Sequence, residues 1–195
     1  AADVTQSADV QNYVKAALDR YGRIDCFHNN AGIEGAIAPT AEYDEAMFDR
    51  VMAVNVKGVF LGLRHVLPVM IKQGRGSVVN TASVAGLVAS PGMPAYVASK
   101  HAVIGLTKTA AGEVARSGVR VNAVCPGLVE TDMGVRLSRA MTGNPSLTDL
   151  RSLDAMSPFG RVCQPSDIAK VVLWLCSDGA GYVTGQRIEV DGGGR

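Results

Sequence analysis

The sequence has few aromatic residues, no closely spaced cysteines and no long apolar run, and each shortage excludes a class of protein. Its longest apolar runs, such as residues 171–176, fall far short of the roughly 18 residues that span a bilayer. The four cysteines show no CxxC spacing, which favours free thiols in a reducing compartment. The first ten residues lack both a basic and an apolar region, so we expect no secretory signal and a cytoplasmic location.

An excess of charge of either sign is also missing. Nineteen Lys and Arg face 18 Asp and Glu, which leaves a net charge of +1 and no basis for attracting a nucleic acid. Hydrophobic residues make up 47% of the chain and charged residues 19%, a balance typical of a folded protein. The 195 residues are one domain of ordinary size, for which we expect no nucleic-acid and no membrane partner.

Strand-like and helix-like segments alternate along the chain. Four apolar runs predict strands, namely IDCFHNNAG, GSVVNTAS, VRVNAVCPG and QRIEVDGG. Helical patterns occupy residues 7–22, 43–73, 95–117 and 166–177. We expect Ser7 to cap the first helix, and Asn55 and Gly58 to weaken the second. This rhythm predicts an α/β fold, a doubly wound parallel sheet with helices on both faces. Residues 133–158 are the least regular and predict a lid over the strand ends.

Chemistry-bearing residues are expected just after the strands, because ligands of open parallel sheets bind at the carboxyl ends. Tyr96 and Lys100 lie four residues apart, hence on one face of a helix. A lysine cation beside a phenol stabilises the phenolate and makes the phenol a usable acid and base. Chance produces this spacing often, so the pair is informative only in combination with other motifs.

Those motifs are present in order along the whole chain, which therefore resembles the short-chain dehydrogenase/reductase family. They are Asp3-Val4, Asn29-Asn30-Ala31-Gly32, Asn55-Val56-Lys57-Gly58, Ser83, Tyr96-Val97-Ala98-Ser99-Lys100, Asn122-Ala123-Val124-Cys125-Pro126-Gly127, Val183-Thr184-Gly185-Gln186 and Asp191-Gly192-Gly193. Within the family, GRIDCFHNNAGIEG is most similar to NAD-dependent reductases of cyclic ketones. The resemblance implies a Rossmann-like domain and an NAD(P)-dependent oxidoreductase of secondary alcohols and ketones.

The resemblance also implies a catalytic tetrad of Asn55, Ser83, Tyr96 and Lys100. Tyr96 would exchange a proton with the substrate oxygen, and Ser83 would hydrogen-bond the same oxygen. Lys100 would hold the cofactor ribose and lower the pKa of Tyr96, while Asn55 would anchor a water that relays protons.

Further positions are implied to contact the cofactor or the substrate. The cofactor contacts are Asp3, Val4, Asn29, Asn30, Ala31, Gly32, Tyr96, Lys100, Pro126, Gly127, Val129 and Thr131. An apolar substrate pocket is expected from Ala85, Val88, Met93 and Leu128. The three histidines show no metal-ligand spacing, so we expect no metal site.

The glycine-rich turn that cradles a pyrophosphate does not occur in the sequence, and we expect it to precede residue 1 together with the first βαβαβ portion of the fold. The determinant of NAD against NADP would lie there as well, so the cofactor is NAD or NADP, with NAD slightly favoured by the similarity to NAD-dependent reductases.

Two other functions are compatible with this scaffold. A catalytically silent dinucleotide-binding homologue has no chemical need for all four tetrad residues. In lyases or dehalogenases of similar architecture an arginine usually replaces the lysine, and Lys100 argues against them. We also expect a homotetramer, because helices 43–73 and 95–117 carry apolar residues around much of their circumference, as Ala102, Leu106 and Ala110 illustrate.

Overall fold

The computed structural model describes residues 1–194, with only the backbone of Met156. Four strands form one parallel sheet in the order β1-β2-β3-β4. They are β1 (Cys26–Asn29), β2 (Gly76–Thr81), β3 (Val119–Pro126) and β4 (Arg187–Val190). This arrangement confirms the α/β class and the parallel sheet expected from the alternating pattern.

Residues 1–194 contain six α-helices. They are α1 (Ser7–Tyr21), α2 (Glu45–Met52), α3 (Gly58–Gln73), α4 (Pro94–Val114), α5 (Asp132–Thr142) and α6 (Pro165–Cys176). A π-helical turn, Ala53–Lys57, joins α2 to α3, at the point where Asn55 and Gly58 are expected to weaken the helix. Short 3₁₀ turns include Val84–Gly86 after β2 and Arg151–Met156 before α6.

Two expectations about helices are wrong. The N-cap of α1 is Gln6, not Ser7, whose hydroxyl hydrogen-bonds the His65 ring at 2.9 Å instead. Residues 133–158 are more regular than expected, because the Thr131 hydroxyl accepts a hydrogen bond from Gly134 N and caps α5.

The strands alternate between two cores because neighbouring side chains point to opposite faces. Val78 packs with α1, α3 and α4 in the larger core, and its neighbour Val79 packs with α6 in the smaller one. Ala110 is buried in the larger core and Leu106 packs against it. Of the three α4 residues expected on a second apolar face, only Ala102 is outside this core, and it is half-buried.

One helical stretch, Glu45–Gln73, is long and apolar enough to cross a membrane by length and composition alone. Its α3 half contributes Val59, Leu63, Val66 and Met70 to the larger core. The apolar character of this stretch is therefore explained by the packing of α3 in the core of a globular domain.

Candidate active site

Tyr96 and Lys100 lie in the first two turns of α4. Both side chains are buried, since Tyr96 is 9% exposed and Lys100 is 4% exposed. Pro94 at the start of the helix favours helix initiation there. The Lys100 ammonium stands 5.5 Å from the centroid of the Tyr96 ring and donates a 2.9 Å hydrogen bond to the carbonyl of Thr81. The last residue of β2 thus holds the lysine beside the phenol.

Burial dominates the electrostatics of this pair. It lowers the pKa of Lys100 to about 8, with a smaller opposing effect from Cys125. It also raises the pKa of Tyr96, which the hydrogen bond of Ser83 lowers and the negative charge of Glu34 raises further. Without a bound cofactor, the Tyr96 phenol is therefore protonated at neutral pH.

Ser83 follows β2 and faces the same phenol. Its Oγ accepts a 3.1 Å hydrogen bond from Ala85 N, which caps the 3₁₀ turn Val84–Gly86. The residue therefore serves the local turn and is also close enough to Tyr96 to lower the pKa of its phenol.

Asn55 lies fully buried inside the π turn, and its side chain is occupied by protein groups. Its Oδ1 accepts from Ile33 N at 2.8 Å, and its Nδ2 donates to Ile33 O at 2.9 Å and to Ser99 Oγ at 3.0 Å. These bonds fasten the loop after β1 to α4, which is a structural role for the amide.

Gly32 occupies the loop between these groups. A Cβ atom there would stand 3.3 Å from Asn55 Oδ1 and 3.5 Å from Lys100 Nζ. The structure thus brings Gly32, Asn55, Ser83, Tyr96 and Lys100 together at one place, after the carboxyl ends of β1 and β2.

The neighbouring asparagines also support the loop after β1. Asn29 Nδ2 donates to the carbonyl of Val59 in α3, and Asn30 Oδ1 accepts from Thr81 Oγ1, both at 2.9 Å. Their amides tie β1 to α3 and β2, and the adjacent Ala31 is exposed.

Asp3 and Val4 lie on the other side of the π turn. The Asp3 carboxylate accepts from Thr5 N at 2.9 Å and is exposed, and this hydrogen bond lowers its pKa. The Val4 side chain packs against Gly58, whose Cβ would stand 2.9 Å from it.

The segment after β3 is fixed by backbone contacts. Pro126 ends β3. Gly127 packs against Asp191, because a Cβ atom added at Gly127 would lie 3.0 Å from the Cβ of Asp191. Val129 forms a parallel bridge with Cys163, and Thr131 caps α5.

A cavity of about 330 Å³ opens beside this segment and reaches Val84, the residue after Ser83. Of the four substrate positions expected from the sequence, only Leu128 lines it. Ala85 lies in the 3₁₀ turn, Val88 is exposed, and Met93 is buried at the N-cap of α4.

Most of the cavity lining was not foreseen from the sequence. It includes Ser138, Thr142, Leu153, Pro158 and Val162. The capping signal at Thr131 could have revealed α5, but nothing local places Leu153 or Val162 at the same cavity.

Two acidic residues missed by sequence reasoning hold the 133–158 segment in place. The Glu34 carboxylate pairs with Arg136 of α5 at 2.6 Å, and this guanidinium lowers the Glu34 pKa despite the opposing effect of burial. Glu130 accepts from Leu150 N at 3.1 Å. Within residues 1–194, no three His, Cys, Asp or Glu side chains are grouped as a metal site would require.

A parallel α/β sheet with a buried tyrosine–lysine pair at its carboxyl edge defines a class of nucleotide-dependent oxidoreductases. The profile of the family described as Enoyl-(Acyl carrier protein) reductase matches residues 1–194. Levodione reductase of Leifsonia aquatica is 43% identical over 192 residues, which are 98% of this chain and 72% of that protein. The chain belongs to the short-chain dehydrogenase/reductase family.

Solved structures agree with this assignment. The crystal structure of levodione reductase superposes with a TM-score of 0.93 at 43% identity, covering 98% of this chain and 74% of that one. NAD⁺-bound xylitol dehydrogenase gives a TM-score of 0.92 at 35% identity and the same 98% of this chain, with 77% of its own. ElxO with NADP bound gives 0.88 at 31% identity, with 98% and 75% covered.

The chain is an NAD(P)-dependent oxidoreductase that transfers hydride between a nicotinamide cofactor and a secondary alcohol or ketone. The comparisons give no support to the alternative of a catalytically silent homologue.

Proposed function

We propose that Tyr96 is the acid and base of this enzyme, and that Asn55, Ser83 and Lys100 complete its catalytic tetrad. The observation that carries the proposal is the buried contact of Lys100 with Tyr96, with the Ser83 hydroxyl close enough to the same phenol to lower its pKa. In reduction the protonated Tyr96 gives its proton to the substrate oxygen, and in oxidation the phenolate takes it back. Ser83 orients that oxygen.

Lys100 has the capacity to bind a ligand as well. Among the described residues its ammonium has one hydrogen-bond acceptor, Thr81 O, which leaves two N–H groups for ribose hydroxyls. Gly32 keeps the space beside this ammonium free of a side chain. The residues thus suit a nicotinamide nucleotide, which when bound supplies the hydride.

The remaining tetrad member acts through its backbone. Because the Asn55 side chain is fully occupied, a proton-relaying water at this point would be held by main-chain groups of the π turn.

We assign the other cofactor contacts by position. Asp3 and Val4 would meet the adenine, and Asn29, Asn30, Ala31 and Gly32 the adenosine side. Val129 and Thr131, with Pro126 and Gly127 before them, would meet the carboxamide end. The Thr131 hydroxyl already donates to Val129 O at 3.3 Å and caps α5. Thr131 would therefore support cofactor binding by fixing the shape of this turn.

NAD is the favoured cofactor. The NAD⁺-bound xylitol dehydrogenase is more similar to this chain than ElxO with NADP bound, at 35% against 31% identity. Titration with NADH and NADPH, followed by nucleotide fluorescence, tests the preference directly. A tighter dissociation constant for NADPH would contradict it.

The proposed substrate is a small, largely apolar ketone or secondary alcohol, with a cyclic ketone as the first candidate. Leu128, Leu153 and Val162 give the 330 Å³ cavity its apolar lining, and Val84 joins it to Ser83. Levodione reductase, whose substrate name is that of a dione, is among the most similar relatives. We propose residues 133–158 as the lid of a single Rossmann-like domain.

The proposed assembly is a homotetramer in the cytoplasm, without nucleic-acid or membrane partners. Exposed apolar residues occur on both sides of the sheet, at Phe60 and Ile71 on α3 and at Leu173 and Trp174 on α6. Two separate self-complementary patches are what a tetramer built from two-fold axes needs. The four cysteines form no disulfide in the structure, which suits a reducing compartment.

The decisive experiment is NADH oxidation with a panel of ketones. The panel contains substituted cyclohexanones and cyclohexanediones, a 3-oxoacyl thioester and a ketose, with Tyr96→Phe as the inactive control. We expect the highest kcat/KM for a cyclic ketone. Preference for the thioester or the ketose would overturn the substrate proposal, and activity of Tyr96→Phe equal to the unmodified enzyme would overturn the site.

A further inference from the structure

Two cysteines that are 150 positions apart in the sequence meet on the smaller-core side of the sheet. Cys26 Sγ at the start of β1 donates to the carbonyl of Cys176 at the end of α6, over 3.8 Å. Cys26 is also close enough to raise the pKa of the Cys176 thiol. The Cys26 sulfur therefore lies against the residue that carries the second thiol.

Rigid elements hold this contact from both sides. Cys26 is the register partner of Ser77 on β2, and Ser77 Oγ donates a 2.8 Å hydrogen bond to the carbonyl of Leu175. Arg120 of β3 donates to the carbonyl of Ser177 at 3.2 Å. The end of α6 is thus fastened to two strands on either side of Cys176.

We propose that Cys26 and Cys176 form a reversible intramolecular disulfide when the enzyme meets a peroxide. Neither thiol belongs to the proposed catalytic site, so this oxidation is a modification separate from hydride transfer. The other two cysteines are differently placed, since Cys125 is fully buried and Cys163 donates to Gln164 O at 3.6 Å.

The reaction balances with one peroxide. The Cys26 thiolate attacks a peroxide oxygen, the O–O bond breaks, and the sulfenic acid of Cys26 forms with release of the alcohol or water. Cys176 sulfur then attacks the Cys26 sulfur, and the leaving hydroxide takes the Cys176 proton as water. Two thiols and one peroxide give one disulfide, one water and one alcohol, or two waters from hydrogen peroxide.

The order of attack follows from the surroundings of the two sulfurs. Burial, followed by the nearby Cys26, raises the pKa of Cys176 to about 11, with smaller opposing effects of Ser77 and Arg120. Because the thiolate is the reactive form and the raised pKa keeps Cys176 protonated, Cys26 reacts with the peroxide first and Cys176 acts as the resolving thiol.

The expected consequence is greater resistance to unfolding. The bond would join the first residue of β1 to the last residue of α6 and close most of the chain into one loop, which restricts the unfolded state. Cys26 is at the opposite end of β1 from residues 30–39, the loop that carries proposed cofactor contacts and is called the cofactor loop below. We therefore expect turnover of the oxidised enzyme to stay close to that of the reduced enzyme.

The test treats the folded protein with hydrogen peroxide, blocks residual thiols and maps tryptic peptides without reduction. Each cysteine falls in its own peptide, with Cys26 in residues 24–50 and Cys176 in residues 171–187. We expect these two peptides to be linked, the intact mass to fall by two hydrogen atoms, and dithiothreitol to reverse both changes. The melting temperature should rise on oxidation.

Matched variants complete the design. Cys26→Ser and Cys176→Ser should each abolish the link and the rise in melting temperature, whereas Cys163→Ser should leave both intact. Oxygen addition to Cys26 without a link, a link between other peptides, or a link seen only after denaturation would each overturn the proposal.

Discussion

Burying the charged Lys100 side chain lowers the stability of the folded protein, although the proposed site needs this cation. A pKa of about 8, compared with an ordinary 10.5, means that the folded state disfavours the charged lysine by about 3 kcal/mol. Below pH 8 the full cost is present. Between pH 8 and 10.5 the unfolded chain keeps a proton that the folded chain loses, so this contribution to stability improves as pH rises.

Lys100→Met is therefore expected to abolish most activity and yet stabilise the fold at pH 7. The methionine removes the charge but leaves Thr81 O without its donor, at a cost of about 1 kcal/mol. The net gain of about 2 kcal/mol should vanish toward pH 10.5, and residual turnover should shift to higher pH. Thermal unfolding at several pH values checks this, with exposed Lys108→Met as the control. A variant less stable than the parent at pH 7 would contradict it.

Tyr96→Phe separates proton transfer from binding. The ring keeps its packing and loses only the hydroxyl, so kcat should fall by about 10²–10⁴-fold while the dissociation constant of NADH changes little. Stopped-flow turnover and nucleotide titration measure the two quantities. Tyr21→Phe, exposed on α1, serves as the control. Comparable losses in both quantities would point to a binding role for Tyr96 instead.

At the scale of elements, Gly62 sets the distance between α3 and β1. A Cβ there would stand 2.8 Å from Asn29 Nδ2 and 2.9 Å from the Phe27 ring, so Gly62→Ala should lower the free energy of unfolding by about 1–3 kcal/mol. Gly105 of α4 has no atom within 4 Å of such a Cβ, and Gly105→Ala should raise it by about 0.5–1 kcal/mol. Urea denaturation of both variants measures the free energy of unfolding, which should fall for Gly62→Ala and rise for Gly105→Ala.

The ion pair of Glu34 with Arg136 joins the cofactor loop to α5. Arg136→Ala should loosen the proposed lid, raising the KM for the ketone several-fold with little change in kcat or NADH affinity. Arg139→Ala is the matched control, because Arg139 donates only within the same segment, to Leu147 O. Equal effects of the two substitutions would show that α5, and not its link to Glu34, determines KM.

Local signals in the sequence are sufficient for most elements and for part of the site. Gly22 ends α1 in a left-handed conformation, and the weakness at Asn55 and Gly58 coincides with the π turn. The spacing of Tyr96 and Lys100 places both side chains on one helical face. These predictions succeed because each depends on residues a few positions apart.

Tertiary contacts are what the sequence pattern cannot supply. Glu34 and Arg136 are 102 positions apart, and the cavity combines residues from α5, the 3₁₀ turn and the segment after β3. Helix α4 is apolar around much of its circumference, so its sequence alone does not show that Ala110 faces the core; the sheet on which the helix packs decides this.

For the whole molecule, the exposed apolar residues of α3 and α6 predict two different interfaces. Phe60→Glu and Leu173→Glu should each convert the proposed tetramer to a dimer, and the double variant should be monomeric, because a buried unpaired carboxylate is costly. Sedimentation velocity at micromolar concentration distinguishes the three states, with exposed Tyr21→Glu as the control. A monomeric parent protein would contradict the assembly outright.

The π turn has a consequence for how this region tolerates insertions and deletions. Its wider coil accommodates one additional residue within an otherwise continuous helix, so α2 and α3 keep their relative rotation although their apolar positions are one residue out of step in the sequence. Deleting one residue at Ala53–Lys57 would restore an unbroken α-helical coil with α2 and α3 still facing as they do now, but would remove the turn from which Asn55 bonds Ile33 and Ser99. Deleting one residue inside α3 instead would rotate α2 by about 100° relative to the rest of α3, and the fully buried Val51 would turn away from the interior. The π turn is therefore the place in this long helix where a one-residue change in length leaves the packing of both halves intact.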